Sequence, residues 1–161
     1  METLDRISLW IAKISEAIAA LLMGSVAIVL FTQVFMRFVL HKGIIWADQY
    51  TRYFTIWAVM LAANALVRDD ELIKVDFFDS MWPKAMIKVR ERIYQVFFFV
   101  LLIVLLYFGT TQALEGRGVR LLGLPFDWFV PYMAIPVGSA LMLFQYIVQF
   151  IKTFRKEDDA S

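Results

Sequence analysis

Four stretches of this chain are long and apolar enough to cross a lipid bilayer as helices. A hydrocarbon core about 30 Å thick needs roughly 20 apolar residues in a helix, and lipid-exposed irregular backbone is not stable within it. Of the 161 residues, 61% are hydrophobic, well above the roughly 45–50% of soluble domains. The sequence therefore predicts an all-α integral membrane protein, a single membrane domain over residues 1–161 with four transmembrane helices. The predicted spans cover about residues 14–38, 46–67, 90–114 and 129–152.

The distribution of Lys and Arg predicts how these spans are oriented. Eleven of them lie before the first span, between the second and third, or after the fourth, whereas four lie in the other two loops. Because loops rich in Lys and Arg stay in the cytoplasm, both termini and the middle loop are predicted to be cytoplasmic. The first span follows the acidic residues Glu2 and Asp5 and is too long for a signal peptide, so we expect it to remain in the mature protein.

The middle loop is predicted to contain a short amphipathic helix over about residues 73–82. Its apolar side chains recur at helical spacing, with charged residues on the other sides, which suits a helix lying in the headgroup plane. The residues predicted to face lipid are Phe77, Phe78, Met81 and Trp82. An ordinary loop that carries some apolar residues is the alternative.

Two charged residues, Asp48 and Arg52, lie inside the second span. Four residues apart on one helix, they share a face and can form an ion pair, and Arg37 at the end of the first span could join them. Charges in a span often mark an ion or substrate pathway. We favour a structural pair that fixes the first two helices or binds a partner subunit, because an acid neutralised by Arg52 is a poor cation site.

An aromatic and polar stripe runs along the second span. It could stack a ligand, but Trp57, far from either membrane interface, favours packing against a neighbouring helix. The stripe consists of Trp46, Gln49, Tyr50, Tyr53, Trp57 and Asn64.

Composition argues against several functional classes. The sequence has no Cys and a single His, His41, which excludes thiolate chemistry, Cys-ligated metals and bis-His haem ligation. No Ser/His/Asp group or paired-carboxylate centre is assembled, and no basic cluster suggests nucleic acid. We therefore expect no enzymatic activity, no metal, no cofactor and no nucleic-acid partner.

Short motifs around the first two spans resemble a known family. They are QVFMRFV at 33–39, IWADQYTRY at 45–53, Trp57, and AANALVRDDELIKVD at 62–76. Their order and spacing are similar to those of the small membrane subunit of tripartite ATP-independent periplasmic (TRAP) transporters. The positions that match the family pattern are Arg37, Trp46, Asp48, Arg52, Arg68, Ile73, Val75 and Asp76. The chain departs from that pattern at Gln49, where a second acid is common, and at Leu72, where His is usual.

The resemblance implies a multi-pass subunit of a secondary transporter in a bacterial or archaeal cytoplasmic (inner) membrane. The implied partners are a large multi-helix membrane subunit, which carries the substrate and sodium sites, and a periplasmic binding protein that delivers an organic acid such as a dicarboxylate or a sialic acid. The small subunit would act as a non-catalytic scaffold, with membrane lipids around it. Candidate subunit-interface residues are Arg37, Trp46, Asp48, Tyr50, Arg52, Tyr53, Trp57, Arg68 and Asp76.

Two other functions fit a small four-helix membrane protein. One is a self-sufficient exporter that acts as a homodimer, with Glu16 or Asp48 as its proton-coupled carboxylate. The other is a cofactor-free membrane anchor for a redox enzyme.

Overall fold

The computed structural model describes residues 2–68, 84–121 and 124–158. Within these ranges the chain is helical, and the only extended pairing is an isolated bridge between Arg120 and Asp127. This confirms the predicted all-α class. The helices are α1 (Glu2–Val39), α2 (Ala47–Arg68), α3 (Lys84–Glu115), α4 (Phe129–Tyr132) and α5 (Ala134–Asp158). The predicted amphipathic segment at 73–82, including Asp76, Phe77, Phe78, Met81 and Trp82, lies outside the described residues.

Three helical segments are long and apolar enough to cross a membrane: Thr3–Val39, Arg92–Glu115 and Phe129–Ile151. They support a multi-pass membrane protein. The second predicted span forms α2, whose 22 residues would reach about 33 Å at 1.5 Å per residue. Asp48, Arg52 and Asn64 make α2 less apolar than those three segments.

Both edge helices extend beyond the predicted spans. The first helix has 38 residues, which corresponds to about 57 Å, and it begins well before the predicted start at residue 14. The described part of the third begins at Lys84, before the predicted start at residue 90.

The fourth predicted span is a helix in two pieces. Pro136 has no N–H to donate to the carbonyl of Tyr132, four residues earlier, and α4 ends at that residue. Met133 joins the pieces: its N–H donates to the Phe129 carbonyl at 3.0 Å, and its carbonyl accepts from Val137 at 3.1 Å. The chain therefore continues in nearly the same helical course across the break.

The centre of the bundle is formed by α2 and α5. Packed on either side of this pair are α1, against α2, and α3, against α5. The edge helices are largely exposed, since only 11% of the apolar window of each is buried.

Two glycines allow α5 to approach its neighbours closely. A Cβ on Gly138 would stand 2.7 Å from the Cβ of Met60 in α2, and one on Gly109 in α3 would stand 2.9 Å from Cγ2 of Ile135. Small residues at such positions are typical of packed helices in membranes. They place α5 in direct contact with both neighbours.

Candidate functional site

The most extensive polar cluster in the described residues joins three helices, and we call it the polar joint: Asp5 and Ser8 of α1, Arg68 of α2 and Gln145 of α5. Nη2 of Arg68 lies 3.1 Å from Oδ1 of Asp5, and its Nε donates to the Ser8 hydroxyl at 3.1 Å. The guanidinium stands in the last turn of α2, where the helix dipole favours a positive charge. The pair thus binds the C-terminal end of α2 to α1.

Gln145 completes the joint from inside the protein. Its Nε2 donates to the backbone carbonyl of Ser8 at 2.9 Å, and its Oε1 accepts from the Ser8 hydroxyl. Both side chains are 1% exposed, so each polar atom needs a partner within the protein. One turn later, Gln149, in the amide orientation that satisfies its hydrogen bonds, donates to the Val67 and Arg68 carbonyls at 2.7 and 3.2 Å. These are among the carbonyls that a helix end leaves without intrahelical partners.

A second polar contact lies about one turn further along α2 and two turns further along α1. Nδ2 of Asn64 donates to the hydroxyl of Ser15 at 3.0 Å, and the two residues are 0% and 3% exposed. Ser8 and Ser15 share a face of α1 with Ala12 and Ala19, which are also buried. This run of small residues lets α2 approach closely and brings the serine hydroxyls within reach of its polar side chains.

At the other end of α2 the structure corrects the predicted ion pair. The carboxylate of Asp48 accepts a hydrogen bond from Nε2 of Gln33 in α1 at 2.7 Å and forms no ion pair with Arg52. Both charged side chains are exposed, and an exposed pair contributes only about 0–1 kcal/mol, so the neighbouring helix supplies the partner instead. Arg37 is also exposed and makes no ion pair with Asp48.

The aromatic stripe of α2 divides between two neighbours. On the α1 side, Tyr50 stacks on Phe54 with ring centroids 4.1 Å apart and donates its hydroxyl to Ser25 at 3.0 Å. Trp46, which is 40% exposed, meets Tyr50 edge-on at 6.0 Å. Of these contacts, the hydrogen bond from Tyr50 to Ser25 joins the first half of α2 to α1.

On its other side, the stripe packs against α4 and against Trp128, the residue directly before α4. Tyr53 contacts Trp128 edge-on at 5.5 Å, and Trp128 stacks on Tyr132 at 5.4 Å. The indole N–H of Trp57 donates to the Val130 carbonyl at 3.1 Å. Tyr53 and Trp57 therefore pack against α4 and the residue before it, and both also line an open groove of about 330 Å³.

His41 and Glu16 do not take part in any such cluster. His41 is exposed and has φ 53° at the end of α1, where the N–H of Lys42 reaches back to the Met36 carbonyl at 3.1 Å. This is the geometry of a helix C-terminal cap. Glu16 is exposed on α1. Within residues 2–68, 84–121 and 124–158, no three His, Cys, Asp or Glu side chains are grouped so that they could hold a metal ion.

Two comparisons relate the chain to known proteins. Residues 26–156 match the family described as tripartite ATP-independent periplasmic transporters, DctQ component. The sialic acid TRAP transporter permease protein SiaT of Haemophilus influenzae (strain 86-028NP) is 25% identical over 144 residues, a match that covers 86% of this chain and 22% of SiaT. The C4-dicarboxylate TRAP transporter small permease protein DctQ of Vibrio cholerae serotype O1 is 25% identical over 167 residues, covering 89% of this chain and 72% of that protein.

Proposed function

The chain belongs to the DctQ component family, the small permease subunits of TRAP transporters, and from that premise we propose that it is a non-catalytic scaffold subunit. Its partner is a large multi-helix membrane subunit that carries out sodium-coupled import. A periplasmic binding protein delivers the solute, which is an organic acid. Sialic acid and C4-dicarboxylates appear in the names of the relatives and define the class from which this solute comes.

The observation that carries this proposal is the use of the buried polar side chains. Five polar side chains are buried in the described residues, and four of them hydrogen-bond to a neighbouring helix: Ser8, Ser15, Asn64 and Gln145. The fifth, the hydroxyl of Ser139, has no hydrogen-bond partner within the described residues. In a transport pathway, polar side chains would instead face a cavity or a ligand. Contacts between helices hold them in fixed positions, which suits a component that stays still while its partner moves.

The contacts between α1 and α2 support four crossings. Gln33 bonds to Asp48 near one end of α2, and Ser8 bonds to Arg68 at the other end. The two helices are therefore antiparallel neighbours along the whole length of α2. Since α1 is long and apolar enough to cross the membrane, α2 crosses beside it. The bias of Lys and Arg then places both termini, and the polar joint, on the cytoplasmic side.

We further propose that the outer face of α1 contacts the large subunit. This face carries a run of exposed small residues, Ala17, Ala20, Gly24 and Ala27, and a Cβ on Gly24 would meet nothing within 4 Å. Small residues let a second helix approach closely. The exposed face of α3 instead carries bulky side chains such as Phe97, 66% exposed, and Phe108, 64% exposed, which suit lipid.

Two charged residues strengthen the case for a protein neighbour beside α1. Lys13 and Glu16 are exposed, and neither forms an ion pair within the described residues. Both lie close in sequence to Ser15, which bonds to Asn64 inside the bundle. Lys13 lies just before the predicted span and Glu16 lies in its first turn, so polar groups of a partner at this edge of the membrane could match them.

The proposal is tested by adding a phenylalanine to one outer face at a time. Gly24→Phe should abolish co-purification of the large subunit in mild detergent and abolish solute uptake. Val104→Phe, which adds the same side chain on the exposed face of α3, should leave both intact. If only the α3 variant disrupts assembly, the docking face is wrong. Coupled transport by the purified chain alone in liposomes would support the exporter and contradict the scaffold.

A further inference from the structure

One side of α1 is exposed along most of the helix, and we call it the outer seam. Its positions follow each other at intervals of three or four residues, so they lie along one line of the helix surface. The seam begins with Arg6, Trp10 and Lys13 and continues through the small residues of the proposed docking face, from Ala17 to Ala27. All of these positions are exposed. At 1.5 Å per residue the seam is about 32 Å long, which is enough to receive a membrane-spanning helix.

The two cations of the outer seam have no opposite charge beside them. Arg6 and Lys13 are exposed and form no ion pair within the part of the chain that the structure describes. Asp5 pairs with Arg68 instead, and Glu16, three residues after Lys13, makes no ion pair with it. This end of the seam therefore carries two positive charges that no described side chain neutralises.

An apolar surface adjoins the two cations. An open groove of about 380 Å³ runs along this end of α1. Its lining residues are Thr3, Arg6, Ile7, Trp10, Ile11 and Ile14. Trp10 is 60% exposed and Ile14 is 51% exposed. Because Trp and Arg are the side chains that most often dominate protein interfaces, the basic end of the seam has the composition of a protein contact.

A helix that packs on the small residues of the seam also meets Lys13. Only about 21 Å separates Ala27 from Lys13 along α1, which is shorter than the roughly 30 Å of a helix that crosses the membrane. A partner helix seated on the small residues therefore continues past Lys13 toward Arg6. Covering a positive charge without supplying an opposite one is costly, so the partner needs an acid at this level.

We propose that a membrane-spanning helix of the large subunit lies along the outer seam and places an acidic side chain against Arg6 and Lys13. Apolar side chains of the same helix fill the groove beside Trp10, and its carboxylate accepts charge-assisted hydrogen bonds. An anionic lipid headgroup carries the same charge, but the small residues that continue the seam favour a helix, which they allow to approach closely. The inference rests on the proposed docking of the large subunit on α1.

Cross-linking of the purified complex with a carbodiimide tests the acidic partner. This reagent joins a lysine amine to a carboxylate in contact with it through an amide bond, with loss of water, and mass spectrometry identifies the linked residues. We expect a link between Lys13 and an Asp or Glu of the large subunit. Lys13→Arg keeps the charge, so it should keep the complex but lose the link. A link from Lys13 to Glu16 alone, or no link from Lys13, would overturn the proposal.

Charge reversal tests the same contact by co-purification in mild detergent. Arg6→Glu combined with Lys13→Glu should lower recovery of the large subunit by about tenfold or more, because like charges would then face each other. Lys42→Glu combined with Arg120→Glu reverses two exposed cations that lie outside the seam and should leave recovery unchanged. Equal losses in the two double variants would mean a general effect of charge and would overturn the proposal.

The Gly24→Phe variant separates this inference from the docking proposal. If Gly24→Phe abolishes co-purification and the reversal of Arg6 and Lys13 does not, docking on α1 stands and the acidic contact is overturned. If neither changes recovery, docking on α1 is wrong and the contact with it. Loss of a bound anionic phospholipid from the reversed variant, with full recovery of the large subunit, would identify a headgroup as the occupant and would also overturn the proposal.

Discussion

The indole N–H of Trp57 donates to the backbone carbonyl of Val130 across 3.1 Å, linking the middle of α2 to the four-residue helix α4. That carbonyl lies just before the break at Met133, where the two pieces of the last predicted span meet. The hydrogen bond and the ring contacts of Tyr53 with Trp128 together hold α4 in place beside α2. The break at Pro136 is thus supported from outside its own helix.

Trp57→Phe should lower thermal stability in detergent, because it removes this hydrogen bond and keeps most of the ring. The expected loss is about 0.5–1.5 kcal/mol. Trp57→Ala should lose more and should reduce both co-purification of the large subunit and uptake. Trp46→Phe, at a residue that is 40% exposed, is the control and should change stability little. Unchanged stability, assembly and uptake in Trp57→Ala would contradict a packing role.

Gln145→Leu should destabilise the chain by about 1–3 kcal/mol, because the Ser8 hydroxyl and carbonyl would lose a buried partner. The matched control is Gln112→Leu in α3, where the side chain is exposed and the change should lie within about 0.5 kcal/mol. Thermal unfolding followed by circular dichroism measures both. Equal effects of the two substitutions would mean that the polar joint does not stabilise the bundle.

Gly138→Ala should separate α2 from α5, since its new Cβ would stand 2.7 Å from the Cβ of Met60. Overpacking of this kind costs about 1–3 kcal/mol. Gly24→Ala is the control, because open space surrounds that position and alanine favours the helix by up to about 1 kcal/mol. We expect a lower melting temperature for the first variant and an equal or higher one for the second. Matching melting temperatures would argue against close packing at Gly138.

A double-mutant cycle should find little coupling between Asp48 and Arg52. Because the two side chains form no ion pair, the effects of Asp48→Asn and Arg52→Gln on unfolding free energy should add within about 0.5 kcal/mol. The cycle of Asp48→Asn with Gln33→Leu should show measurable coupling through the 2.7 Å hydrogen bond. Strong coupling between Asp48 and Arg52, with none between Asp48 and Gln33, would show that the intrahelical ion pair forms after all.

Hydropathy was enough to predict that the four apolar stretches are helical, but not which side chains they bring together. The spacing rule for one helix favoured Arg52 as the partner of Asp48, yet Gln33 on the facing helix forms the contact. Ser8 lay outside the first predicted span, so nothing in its local sequence linked it to Gln145, which lies 137 residues later. Tertiary packing determines both contacts. The one available signal was the alternation of Ser8, Ala12, Ser15 and Ala19, a small-residue face that implies a close neighbour.

The polar joint also bears on how α1 can sit in a bilayer. To bury all of its roughly 57 Å in a 30 Å core, α1 would need a tilt of about 58°, beyond the roughly 40° at which membrane helices are found. Part of α1 must therefore lie outside the hydrocarbon, and the end that carries Asp5, paired with Arg68, is the charged one. If α1 slid along α2 by one turn, this ion pair would break. We expect the joint thereby to fix the register of α1 against α2, and through it the height at which a subunit docked on α1 would meet the membrane surface.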